Sequence, residues 1–335
     1  MSTLSRYAII TAAAALLVGC GGSQPIGTPG AMPQISPIRV TPDKHEKNDV
    51  VGVYGSPDYS STINGYKGTD PKNGPPICSL KAAGMVNDIA VDSKGNLIVP
   101  EVTAYTRSIG DTTVYEGPKL CGRKLGSVQD NVSKSAPSDV ASLNAATGTI
   151  AVANGYSYTF YEQGSISVCT LKGGCTRNLT NPNMHFVVGV ALAKDGDCWA
   201  TGRNYDSKPV MIYFKGCKGS GQLAAGWKNV APGGLDIDAK GNIVSVDASA
   251  AELWIYRGCN PACTVVGGPF ALNSKSRTTY GHLNSAGTEF IAGNYVYSGG
   301  LDIYKYSTKG LTYERSITNG LMGSTAAAFD LGSRE

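Results

Sequence analysis

Along most of this chain, short apolar stretches alternate with polar turns that end in glycine. The clearest unit runs Asn87-Asp88-Ile89-Ala90-Val91-Asp92-Ser93-Lys94-Gly95-Asn96-Leu97-Ile98-Val99. It reads as an apolar strand, a polar turn closing on Gly-Asn, and a second apolar strand. The unit returns as Gly189 to Trp199 and as Gly234 to Val244, with looser copies from Asp139 to Thr149 and from Gly281 to Phe290. An Asp-x-x-Gly-Asn turn has a mechanism: the aspartate accepts nearby amides, and glycine takes the positive φ that such hairpins demand. After each unit comes a variable loop, then a strand carrying a tyrosine, at Tyr66, Tyr115, Tyr161, Tyr213, Tyr256 and Tyr304. A weaker fourth strand follows, as in Cys263-Thr264-Val265-Val266.

The turn glycines stand at Gly95, Gly148, Gly196, Gly241, Gly287 and Gly332, at intervals of 53, 48, 45, 46 and 45 residues. Four short strands in about 45 residues is the period of a propeller blade, which buries its two faces only by stacking against neighbours. Six marks predict an all-β, six-bladed β-propeller with four-stranded antiparallel blades. A seventh pair of marks is missing, and an irregular β-sandwich leaves the period unexplained. The tyrosine series starts before the first glycine, and the glycine series ends after the last tyrosine. That offset predicts a ring closed by its tail. Residues Thr325 to Gly332 supply a first strand, and Val50–Tyr54, Thr62–Tyr66 and Ile77–Leu80 supply the other three of the same blade. Such closure removes the open edges that invite aggregation.

Composition agrees with an all-β, turn-rich exported chain: 43 Gly, 18 Tyr and only 16% charged residues among 335. The net charge of +4 is small and the basic residues are scattered, so the chain lacks the footprint of a nucleic-acid binder. Arg6 and the apolar run Tyr7–Val18 have a signal peptide's layout and are too short for a bilayer span. Leu17-Val18-Gly19-Cys20 resembles the bacterial lipoprotein cleavage box. The resemblance implies a signal peptide over 1–19 and acylation of Cys20 with chains of the palmitate type. It also implies a membrane partner for that end of the chain, and Gly21 after the cysteine favours the outer membrane of the cell envelope. Residues 20–48 mix Pro, Gly and Ser without apolar period and are expected to be a flexible tether, with His45 solvated. The propeller is then expected over 49–335.

Eight cysteines remain besides Cys20, an even number that suits an oxidising compartment. Cys169 with Cys175 and Cys259 with Cys263 each bracket a turn; Cys198 and Cys217 fall on successive strands of one repeat; Cys78 with Cys121 follows by elimination. A metal reading of Cys259-x-x-x-Cys263 lacks the second Cys or His pair that zinc requires.

The Ile-Ala-Val-Asp-x-x-Gly-Asn-Leu-x-Val pattern at Ile89–Val99 resembles the NHL-repeat and gluconolactonase-like six-bladed propellers. In the hydrolytic members a calcium ion sits on the axis, held by Glu, Asn and Asp at the starts of the innermost strands. The resemblance would place such ligands at Asn87, Asp88 and Asp139, with His282 near the axis. The other blades offer Gly189, Gly234, Gly281 and Thr325 at the matching places, and the first-blade Glu has no counterpart. Nucleophile elbows, His-Glu-x-x-His, dinucleotide fingerprints and P-loops are absent from the sequence. Two expectations follow. The first is a lipid-anchored, noncatalytic binding module for a protein or glycan, using loops such as Val102–Thr113 and Arg203–Pro209. The alternative is a calcium-dependent lactonase or esterase with Asn87, Asp88, Asp139 and His282 in its channel. The repeated tyrosines, and Trp199, Trp227 and Trp254, are expected to pack blades rather than to face a ligand.

Overall fold

A computed structural model describes residues 51–330, except 68–72, 93, 103–109, 118–120, 129–135, 143–147, 157–162, 274–277, 279 and 296–298. The segments expected to be a signal peptide and a tether, with Cys20, and Gly332 therefore lie outside the described residues. No helix among the described residues is long and apolar enough to cross a membrane.

Six antiparallel sheets make up the propeller. Blade 1 pairs Ser324–Phe329, Val51–Pro57, Thr62–Lys67 and Cys78–Lys81 in that spatial order. In blade 2 the innermost strand is split into Met85–Val86 and Ala90–Val91; Leu97–Val102, Gly110–Tyr115 and Lys124–Val128 follow outward. Blade 3 comprises Ala136–Ser142, Thr149–Tyr156, Ser165–Thr170 and Gly174–Leu179. Blade 4 comprises Phe186–Leu192, Cys198–Arg203, Pro209–Phe214 and Gln222–Leu223. Blade 5 uses Pro232–Ile237, Ile243–Asp247, Glu252–Gly258 and Cys263–Ala271; blade 6 uses Gly281–Leu283, Glu289–Gly293, Leu301–Ser307 and Gly310–Ile317. Each innermost strand touches the next, from blade 1 round to blade 6 and back to Ser324–Phe329, so the ring is closed. Closure uses the predicted pairing: Val53 faces Phe329 and Gly55 faces Ala327.

Strand alternation explains why blades stack. Ile150 and Val152 point toward blade 2, whereas Ala151 and Ala153 point toward blade 4. Six apolar clusters result, one in each gap between neighbouring blades. Both faces of a second strand are thus buried, and its sequence reads as a continuous apolar run. The described turn glycines all have positive φ, from 57° at Gly148 to 93° at Gly196.

The tyrosines serve packing, with each hydroxyl tied down. Tyr66 donates to the carbonyl of Asn319 at 2.8 Å, Tyr213 to Asp197 Oδ2 at 2.6 Å, and Tyr256 to Asn229 Oδ1 at 2.7 Å. Blade 3 departs from the pattern. Its third strand is Ser165–Thr170, and Cys169 stands opposite Ile150 where the other blades place tyrosine; Tyr161 lies outside the described residues. Trp199 is buried, while Trp227 and Trp254 pack at its edge, half-buried, in the gap between blades 4 and 5.

Four disulfides join Cys78 to Cys121, Cys169 to Cys175, Cys198 to Cys217 and Cys259 to Cys263. The first links blade 1 to a loop of blade 2. Cys217 sits in a 3-10 turn, Lys215–Cys217, just beyond the third strand rather than on it.

Candidate functional site

The innermost strands create a problem at the axis: their inner edges have no further strand to accept their amides. Aspartates solve it between neighbouring blades. Asp139 Oδ2 accepts the amide of Val190 in blade 4 at 2.7 Å, and its Oδ1 accepts the amide of Val140 at 2.8 Å. Asp236 in blade 5 repeats the arrangement, with Oδ2 on the amide of Leu283 at 2.7 Å and Oδ1 on that of Ile237 at 2.6 Å. Asp88 Oδ2 accepts the amide of Val140 at 3.4 Å. These carboxylates hold adjacent sheets in register around the channel.

His282 of blade 6 completes the cluster. Its Nε2 lies 3.0 and 3.2 Å from the two oxygens of Asp88, and its Nδ1 lies 3.8 Å from Asp236 Oδ2. Ligand atoms of Asp88, Asp139 and His282 fall within 4.8 Å of one another. Burial opposes the imidazolium, but the charge of Asp88, the nearby Asp236 carboxylate and the hydrogen bond to Asp88 outweigh it and hold His282 well above its usual value. Burial also opposes ionisation of Asp88. The His282 charge, with hydrogen bonds from His282 and Asp139, overcomes this and keeps Asp88 below the usual carboxylate range. Asp139 goes the other way: burial, then the Asp88 charge beside it, push its carboxyl well above that range. The geometry is therefore an Asp88–His282 pair with Asp139 beside it, Asp139 holding its proton more tightly than a free carboxyl does. Burial and the same two aspartates also raise Tyr280 next to them.

Beside this cluster lies an axial funnel of about 480 Å³, lined by all six blades and reaching the hairpin turns that carry Gly241 and Gly287. Ala191, Ile237, Leu283 and Phe329 form apolar wall, and Asp236 and His282 form the floor. The side chain of Asp236 is 28% exposed and that of His282 16%, while Asp88 behind them is fully covered.

The structure thus brings Asp88, Asp139 and His282 together, while Asn87 donates from Nδ2 to the carbonyl of Pro137 at 2.7 Å. Asp236 escaped sequence reasoning. Its signal was register: it immediately precedes Ile237, the partner of Ile243, just as His282 precedes Leu283, the partner of Phe290. At Gly189 an added Cβ would meet the carbonyl oxygen of Gly233 at 2.4 Å, so close approach of blades 4 and 5 excludes a ligating side chain there.

A calcium ion needs six to eight oxygens. Here three blades supply carboxylates, but both oxygens of Asp139 and of Asp236 already accept amides, those of Asp88 face the imidazole of His282, and blade 6 supplies nitrogen. Thr325 donates to the carbonyl of Val86 at 3.2 Å. These residues do not fit a calcium cage, and no step through calcium is derived.

Of the loops expected to recognise a partner, 103–109 lies outside the described residues. The Arg203–Pro209 connection presents Tyr205, 60% exposed and stacked on His185 at 4.2 Å between ring centroids. Tyr59 and Tyr295 meet edge to face on the connections of blades 1 and 6 that correspond to it.

No protein-family model matches the chain, and no curated protein matches it in sequence. Solved structures resemble it in shape. One is a protein of unknown function from Bacteroides caccae, with TM-score 0.55 and 10% identity over 85% of this chain and 99% of that one. Another is a functionally unknown protein from Desulfotomaculum acetoxidans, with TM-score 0.53 and 10% identity over 85% of this chain and 90% of that one. At such identity the likeness establishes the fold alone: this chain is a six-bladed β-propeller.

Proposed function

We propose that this chain is a noncatalytic binding protein of the bacterial envelope, anchored through acylated Cys20 and holding a small ligand in its axial funnel. The observation that carries the reading is the funnel itself. It combines apolar side chains from all six blades with a few polar groups, Asp236 and His282 among them, and its volume suits a small molecule. The amide-to-carboxylate bonds around the axis support a structural rather than a catalytic role for Asp88 and Asp139, whose oxygens are already engaged. The lipoprotein-like Leu17–Cys20 segment and the four disulfides support the envelope location. The likeness to NHL and gluconolactonase propellers supports an axial rather than a peripheral site.

Native mass spectrometry of the purified protein tests the reading. The wild type is expected to retain a small molecule that Leu283→Trp, which fills the funnel, does not retain. Identical spectra for both proteins would count against it.

One observation favours the calcium-dependent lactonase or esterase alternative: Asp88, Asp139 and His282 meet from three blades. On that reading Asp88→Ala abolishes both calcium-induced stabilisation and lactone turnover.

A further inference from the structure

The floor of the funnel has an uneven charge. Three of its four groups form a set engaged with one another or with the backbone: His282 lies 3.0 Å from Asp88, and both oxygens of Asp139 accept amides. Asp236 stands outside that set and is the most exposed of the carboxylates, at 28%. Its nearest cation is His282 at 3.8 Å, which already sits 3.0 Å from Asp88. Among the described residues no lysine or arginine pairs with it. Each Asp236 oxygen has accepted one amide, and a carboxylate has about four acceptor sites, so further donors can be taken. Beside this carboxylate stand Ala191, Ile237, Leu283 and Phe329, while the hairpin turns add Lys194, Asp195, Asp238, Asn284 and Ser285, of which Asp195, Asp238 and Asn284 accept amides of their own turns.

We propose that the funnel selects a compact ammonium compound, its cationic head on Asp236 and its apolar body against Ile237, Leu283 and Phe329. This rests on the funnel being the ligand site and adds the chemical class of the ligand. In a water-poor recess a charge-assisted N–H···O⁻ bond is about twice as strong as a neutral one, so an ammonium outbinds an alcohol of the same shape. A carboxylate compound seated on Asp236 meets repulsion, because the cation nearest that residue, His282, is already held by Asp88.

The test uses the full-length protein with three probes of similar shape: benzylamine, benzyl alcohol and phenylacetate. Binding is read at neutral pH from the imidazole nitrogen NMR signals of His282, assigned by elimination with His45→Gln and His185→Gln, and from melting temperature. Benzylamine is expected to bind at least ten-fold more tightly than the other two. Asp236→Asn should lower it to the level of the alcohol, and Leu283→Trp should abolish binding of all three. If the alcohol or the acid binds as well as the amine, the ammonium proposal is overturned while the funnel stands as a site. If no probe moves the His282 signals, both fall. The three-probe comparison on the unaltered protein decides the matter even where a variant fails to fold.

Discussion

His282 Nε2 lies 3.0 Å from Oδ1 of Asp88, a residue 194 positions earlier in the chain and two blades away in the ring. A buried pair of this kind is costly to break from one side, since the partner keeps its charge without compensation. Asp88→Ala is therefore expected to lower stability by about 3–5 kcal/mol, read as a shift in urea midpoint at unchanged slope. A loss well below 1 kcal/mol would show that the pair does not hold the axis together.

The same cluster fixes how stability follows pH. His282 faces Asp88 and Asp236 and holds its proton more tightly when folded. Its contribution is complete below its unfolded value of about 6.5 and is lost as pH rises through the higher folded value. Asp139, facing Asp88, His282 and Tyr280, acts in the same direction from the carboxylate range upward, because it too is raised by folding. Asp88 acts oppositely, losing its contribution as pH falls below that range. Melting temperature is expected to peak near about pH 5 and to fall toward about pH 9, with Asp139→Asn flattening the descent. A maximum near about pH 8 would contradict these assignments.

Closure depends on Ala327, fully buried opposite Gly55 and packed between blades 6 and 1. Ala327→Asp places an unpaired carboxylate in that seam and is expected to cost more than about 3 kcal/mol. Size-exclusion chromatography should show aggregates as well, because the opened seam exposes the edge of Val51–Pro57. A monomer with wild-type melting would mean that the ring tolerates an open joint.

Disulfide removal should follow loop length. Cys78 and Cys121 enclose a separation of 43 residues, whereas Cys259 and Cys263 enclose only 4. Chain-entropy reasoning gives about 4 kcal/mol for the first and about 2 kcal/mol for the second. Paired Cys→Ala variants compared by denaturant titration check this order, and a reversed ranking would refute it.

Cys20→Ala is expected to move the protein from the membrane fraction to the soluble fraction and to abolish incorporation of labelled palmitate. Membrane retention of this variant would sink the lipid anchor.

The ring was legible because its marks are enforced by backbone geometry. Gly95, Gly196 and Gly241 sit where only positive φ fits, and Tyr115, Tyr256 and Tyr304 fill equivalent places opposite second strands. Reading tyrosine alone failed in blade 3, where Cys169, bridged to Cys175, fills that place instead. Asp88, Asp139 and His282 were legible as axial residues because each lies a few positions before a turn glycine. That ruler landed on Gly234 in blade 5, although Asp236 stands five residues before Gly241 just as His282 stands five before Gly287. The apolar wall and the charge imbalance at the funnel floor arise only when residues from all six blades converge, so no single stretch announces them.

Blade 1 borrows its innermost strand from Ser324–Phe329, although its other three strands are the earliest in the ring. During synthesis those three must wait for more than two hundred residues before their partner emerges from the ribosome. Until then the polypeptide holds separate sheets, the first of them without its innermost strand. The last-made strand thus acts as a latch that sets the moment at which the molecule becomes rigid.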